Sequence, residues 1–279
     1  VFDSGKVPCC VDSRGADPVA ENDSHGQYLY AVAEVWRHTR DNAWLARHWP
    51  TVQRVLAYQE GLRQSERSAR NREPGRAHLF GLMPPSISHE GYSDKPAYSY
   101  WDDFWALRGY KDAVLIARAL GHETEAQRWS EWTAACEREL AASIVATAAH
   151  HRIDFIAGAA DRGDFDPTST TIALNPVQAE LPPALLDATF ERYWRESLAR
   201  TQGQRAWKDY TPYELRSVGA LARLGHSARA HAMLDFFFRD RRPAAWNQWA
   251  EVVRPGYRER AFIGDLPHAW VASDYIRSA

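Results

Sequence analysis

Asp102 and Asp103 stand side by side in Tyr98-Ser-Tyr-Trp-Asp-Asp-Phe-Trp-Ala-Leu-Arg-Gly-Tyr-Lys-Asp112, ringed by aromatic residues where a long helical pattern begins. Tyr and Trp rings stack on the apolar face of a sugar, and crowding among them raises a carboxyl's pKa until it can donate a proton near neutrality. An aspartate at the start of a helix also serves as its N-cap, so each of the two has a structural use beside the chemical one. The same signature, aromatics with carboxylates near a helix start, recurs in Trp207-Lys208-Asp209-Tyr210 and in Trp249-Ala250-Glu251 with Gly264-Asp265. Two carboxylates facing each other across a sugar are the minimum equipment for glycoside hydrolysis, one protonating the leaving oxygen while the other activates water or attacks the anomeric carbon.

Helices must position these residues, and the hydrophobic pattern supplies them. After an irregular Gly- and Pro-containing lead-in over residues 1–24, Asn22-Asp23-Ser24 is placed to cap a helix carrying Leu29, Val32, Ala33, Val35 and Trp36. Thr39-Arg-Asp-Asn42 breaks it, and a second helix follows through Trp44, Leu45, Val52, Val55 and Leu56, making an αα-hairpin. A charged segment over 64–76 precedes an aromatic loop of residues 79–100, long enough to expect a function for it. Ala117-Arg-Ala-Leu-Gly-His122 resembles Leu221-Ala-Arg-Leu-Gly-His226, each a glycine at a C-cap between two helical patterns. Thr168-Ser-Thr-Thr-Ile-Ala-Leu174 is β-branched and short, which suits a small strand or a loop. A Pro-started helix follows 181, a helix opens near Trp207-Glu214 and ends at Leu224, its partner runs through Phe236-Phe-Phe238, and a last helix closes the chain. The count is about eight helices, arranged as stacked hairpins of uneven loop length. In antiparallel hairpins every second helix starts at the same end, so the acidic helix entrances can share a cleft.

Composition narrows the partners. Among 279 residues, 34 Lys and Arg balance 36 Asp and Glu, which argues against nucleic acid, and no apolar run approaches the ~20 residues that span a bilayer. The 12 tryptophans suit flat amphipathic ligands. Cys9, Cys10 and Cys136 make neither a metal spacing nor a disulfide framework, and no His-Glu-x-x-His is present. Asp161, Asp164 and Asp166 lack the glutamate that closes a calcium loop, so neither metal nor cofactor is expected. The opening Val-Phe-Asp-Ser-Gly-Lys has no initiator Met and no signal-peptide core, as in a fragment or a processed chain, which fits a secreted or periplasmic protein.

With these motifs the chain resembles the six-hairpin (α/α)6 toroid glycosidases, in particular the trehalase and processing α-glucosidase relatives. The resemblance covers most of the chain from about Gly5 onward. It implies an all-α toroid of twelve helices, of which residues 1–279 would form a single catalytic domain lacking its first hairpins. Trp101-Asp102-Asp103-Phe104 is similar to the acid motif of that group, Trp207-Lys208-Asp209-Tyr210 to its sugar-subsite motif, and Glu251 to its base. The implied activity is inverting hydrolysis of an oligosaccharide or glycan, with Asp102 or Asp103 as general acid and Glu251 as general base, ~6.5–9.5 Å apart. Trp101, Trp105, Trp207 and Tyr210 would form stacking walls, and Asp23, Arg108, Lys208, Asp209, Asp265 and His268 would bind hydroxyls, with Glu90 in Ser88-His-Glu-Gly-Tyr92 a rival acid. Arg108 equally suits an ion pair with a neighbouring acid, and a Trp at helical spacing equally suits the core. A phosphorylase or lyase on the same fold, or a toroid that binds glycans without cleaving them, remains an alternative.

Overall fold

The computed structural model describes residues 1–17, 19–88, 91–92, 94–208, 210–256, 258–259 and 263–279. The chain is all-α apart from one minimal hairpin, with nine α-helices among the described residues where the hydrophobic pattern predicts about eight. It divides into two compact units, Val1–Leu185 and Leu186–Ala279. None of the helices is long and apolar enough to cross a membrane.

The first unit opens with β1 (Val11–Asp12) and β2 (Gly15–Ala16), paired antiparallel within the lead-in. Helix α1 (Asp23–Thr39) and helix α2 (Asn42–Glu66) form the expected hairpin. Arg40 turns left-handed at φ 54° and its N–H returns to Trp36 O, while Asp41 Oδ1 accepts from Trp44 N at 2.8 Å to start α2. The expected cap of α1 is different. Asn22 makes no side-chain bond to the helix and instead donates from Nδ2 to Pro84 O at 2.8 Å, holding the aromatic loop.

Helix α3 (Tyr100–Ala119) is the centre of this unit, buried on nearly every face between α1, α2 and α4 (Glu123–His151). Its closest neighbour is α1. A Cβ on Gly26 would lie 2.0 Å from Trp105 O, and one on Gly109 would lie 2.8 Å from Gly26 Cα, so the two backbones meet without side chains between them. The loop over 79–98 is tied down by the Ser86–Ala97 bridge. The run from Thr168 is neither strand nor loop. Asp166 accepts from Ser169 N at 3.2 Å and Pro167 takes the first helical position, so Pro167–Ile172 forms α5, and the chain then kinks at Asn175, extended at φ −153° and ψ 118°. Cap and proline at the N-terminus outweigh the β-branched preference.

The second unit holds most of α6 (Pro183–Thr201), then α7 (Arg216–Arg223), α8 (Ser227–Arg239) and α9 (Ala269–Ser278). The helix expected from Trp207 begins only at a 3-10 turn, Pro212–Leu215, leading into α7. The internal echo is structural: His122 N bonds Ala117 O at 2.9 Å and His226 N bonds Leu221 O at 2.8 Å, with Gly121 and Gly225 left-handed at φ 77° and 81°. The α3–α4 and α7–α8 hairpins therefore close by the same C-cap.

Candidate functional site

In the first unit, the N-terminal turn of α3 meets that of α1. Asp102 is fully buried and Asp103 is 2% exposed. Asp102 Oδ2 accepts from Ser86 Oγ at 2.5 Å, and Asp103 Oδ1 accepts from Met83 N at 2.8 Å, so both carboxyls grip the aromatic loop. Their other oxygens, Asp102 Oδ1 and Asp103 Oδ2, have no hydrogen-bond partner among the described residues. Burial pushes both pKa values well above the usual aspartate range; the charge of Asp23 adds to the shift at Asp102, while the Met83 N–H and Arg63 oppose it at Asp103. Burial thus disfavours the ionised form of both carboxyls, and a carboxyl that resists ionisation suits proton donation.

Asp23 faces the same corner. Its Oδ2 accepts from Trp101 Nε1 at 2.7 Å and from Gln27 Nε2 at 2.6 Å. Trp101 and Trp105 are buried and meet edge to face, with ring centroids 6.1 Å apart. They form walls of the core around the aspartates rather than open stacking faces. Arg108 does not reach toward a ligand: it forks onto Asp112, Nε to Oδ2 and Nη2 to Oδ1 at 2.6 Å each, and its Nη1 donates to Pro176 O at 2.8 Å. Its ion-pair use, which the i, i+4 spacing allows, is the one the fold adopts. Glu90 lies outside the described residues.

The second unit gathers the other expected residues. Tyr210 N donates to Val253 O at 3.2 Å, and Glu251 N donates to Asp265 O at 3.0 Å, so the segments after 207, 249 and 263 run together. Glu251 is half-buried, and its Oε2 would lie 3.2 Å from a Cβ on Gly264, an approach that a larger residue would crowd. The same unit holds a pocket of ≈350 Å³ lined by Asn247, Gln248, Trp249, Pro267, His268, Ala269 and Ala272, and Glu251 is not part of its lining. His268 Nε2 is 3.2 Å from Tyr213 OH. Trp207 is half-buried and packs edge to face on Tyr210, 5.2 Å between centroids, while Arg242 lies over the Trp207 ring; Lys208 and Asp265 are exposed. Tyr210 itself is buried and donates to Asp240. Asp209 lies outside the described residues.

One group escapes sequence reading altogether. His78, His150 and His151 bring three ring nitrogens within 4.8 Å of one another, although the sequence scatters them. Only the adjacent pair His150-His151 could signal it. Cys9, Cys10 and Asp17 approach one another similarly on the surface. Neither the protein-family models nor the curated proteins compared with this chain yield a match.

Proposed function

We propose that the chain is a glycoside hydrolase of the (α/α)6 toroid type, in which residues 1–279 belong to one catalytic domain and act on an oligosaccharide or glycan. Asp102 or Asp103 is the proton donor and Glu251 the base that activates water. The observation that supports this best is the burial of the α3 aspartates: they lie in the aromatic first turn of α3 with Tyr100, Trp101 and Trp105, and their pKa values are raised by burial, which favours the protonated form a general acid needs. In the same unit as Glu251, a pocket carrying Trp249 and His268 has a size that suits a sugar, and the half-buried Glu251 lies two residues along the chain from Trp249.

A second reading has its own observation. Because Asp102 and Asp103 both hold the 79–98 loop through Ser86 and Met83, they also fit a protein that binds glycans without cleaving them, the aspartates shaping the loop. The test is hydrolysis of aryl α- and β-glycosides and plain disaccharides by the wild type and by Asp102→Asn, Asp103→Asn and Glu251→Gln. Loss of turnover in Glu251→Gln and one aspartate variant, with helical circular dichroism intact, supports hydrolysis. Glycan binding without turnover in the wild type favours the second reading, and neither binding nor turnover removes both.

A further inference from the structure

The seam between the aromatic loop and the end of α4 carries a cluster that glycoside chemistry does not use. His78 sits in the 3-10 turn Ala77–Leu79, and His150 and His151 end α4. His78 is buried, His151 half-buried and His150 exposed, so the three nitrogens lead from the interior to solvent. The His78 and His150 rings stack with centroids 4.2 Å apart, and His151 stands edge-on to them at 6.1 and 4.8 Å. Three imidazoles so close repel one another when protonated and attract a cation when neutral.

The surroundings fix the rings as a ligand set requires. Hydrogen bonding of His151 Nε2 to Ala160 O, 2.9 Å away, selects the tautomer with the lone pair on Nδ1, as a backbone carbonyl does behind a metal-bound histidine. The carbonyl of His78 accepts from Ser143 Oγ, and Tyr100 OH lies 2.8 Å from both Ser143 Oγ and Thr147 Oγ1. Ser143 and Thr147 belong to α4, so the turn carrying His78 is fastened to the helix carrying the other two. Gly163, left-handed at φ 66°, admits the His151 ring: a Cβ there would lie 2.5 Å from His151 Cγ.

We propose that His78, His150 and His151 bind a divalent transition metal, zinc in the first instance, with water in the fourth position. Three neutral imidazoles match the preference of zinc for nitrogen at tetrahedral geometry and give nothing to magnesium or calcium, which require oxygen. His150, being exposed, is the ring free to swing inward on the ion. Bound metal clamps the turn at 77–79 and the segment at 159–163 onto α4.

The test is titration of the full chain, stripped with chelator, with zinc by calorimetry and with cobalt by visible absorption, comparing wild type with His150→Ala, His151→Ala and a Cys9→Ser/Cys10→Ser variant. We expect about one zinc per chain in the wild type and the intense cobalt bands of four-coordinate geometry. Affinity should fall at least about tenfold in each histidine variant, persist in the cysteine variant, and zinc should raise the melting temperature of the wild type but not of His150→Ala. No saturable binding, binding unchanged in His150→Ala, or binding lost in the cysteine variant alone overturns the proposal; because His150 is exposed, its variant keeps the fold and the result stays readable.

Discussion

Trp101 Nε1 donates a hydrogen bond to Asp23 Oδ2 across 2.7 Å, joining the first turn of α3 to the first turn of α1. Both side chains are buried, so the donor has no substitute in water. Trp101→Phe keeps most of the ring and deletes that donor. Removing one partner of a buried charged hydrogen bond costs about 1–3 kcal/mol. Urea unfolding followed by circular dichroism should show a lower midpoint at unchanged slope, and an unchanged midpoint would mean that Asp23 is equally well held by its other contacts.

Gly26 permits the approach of α1 to α3, since any Cβ there meets the Trp105 carbonyl at 2.0 Å. Backbone cannot step aside as a side-chain tip can, so Gly26→Ala should cost about 3 kcal/mol or more. In a chain of this size that lowers the melting temperature by about 5–10 °C. Gly61, exposed in α2 with nothing within 4 Å of where a Cβ would stand, supplies the contrast. There alanine only improves helix propensity and should stabilise by about 0.5–1 kcal/mol. Equal effects of the two substitutions would contradict the close crossing.

Helical hairpins are legible in the sequence because a local device closes them: Leu-Gly-His at 120–122 and at 224–226 is a C-cap whatever lies around it. The run after Thr168 misleads because its β-branched residues speak for themselves, whereas the cap on Asp166 and the proline after it decide the conformation from one side. Identity and exposure separate at Asp102 and Asp103. Their types point to proton chemistry in the sequence, but the rotation of α3, set by packing against α1 and α4, turns both inward, and nothing in the letters fixes that rotation. The histidine cluster needs the fold itself, because His78 reaches α4 only after the loop has folded back onto it.

In the second unit, Arg200 forks onto Glu214, Nη1 to Oε1 at 3.0 Å and Nη2 to Oε2 at 2.7 Å, and Tyr193 OH donates to the same Oε2 at 2.9 Å. The guanidinium also lies over the Tyr210 ring, 4.3 Å from its centroid. With only 13% and 11% of the two side chains exposed, the pair is largely out of water. Glu214→Gln keeps the shape and removes the charge, leaving a buried cation uncompensated at a cost of about 3–5 kcal/mol. Replacing both partners, as in Arg200→Leu with Glu214→Leu, should recover much of that loss. Tryptophan fluorescence in a urea series reads it, and a Glu214→Gln protein within about 0.5 kcal/mol of wild type would show the pair to be energetically idle.

The stability of the protein should depend on pH through buried groups of opposite sign, among them His25 and Asp103. His25 is 1% exposed, stacked on Tyr58 with centroids 5.0 Å apart, and its Nε2 has no partner among the described residues. Burial, aided by Lys6 and opposed by the Asn22 carbonyl, lowers its pKa from 6.5 to about 4. Between those values the unfolded chain binds a proton that the folded chain refuses, so stability is lost as pH falls through that window, by up to about 3 kcal/mol at its lower end. Asp103 works the other way. Its pKa is raised above 3.8 by burial, so the folded chain keeps a proton that the unfolded chain releases, and stability is lost as pH climbs from about that value toward the folded pKa. Unfolding free energies measured from pH 4 to 8 should therefore show His25→Gln removing part of the loss of stability as pH falls from 6.5 to about 4, and Asp103→Asn removing part of the loss as pH rises above 3.8. A loss on acidification unchanged in His25→Gln would show that this imidazole protonates without opening the fold, and a loss on raising the pH unchanged in Asp103→Asn would show that the carboxyl ionises in place, which would also withdraw it as a proton donor.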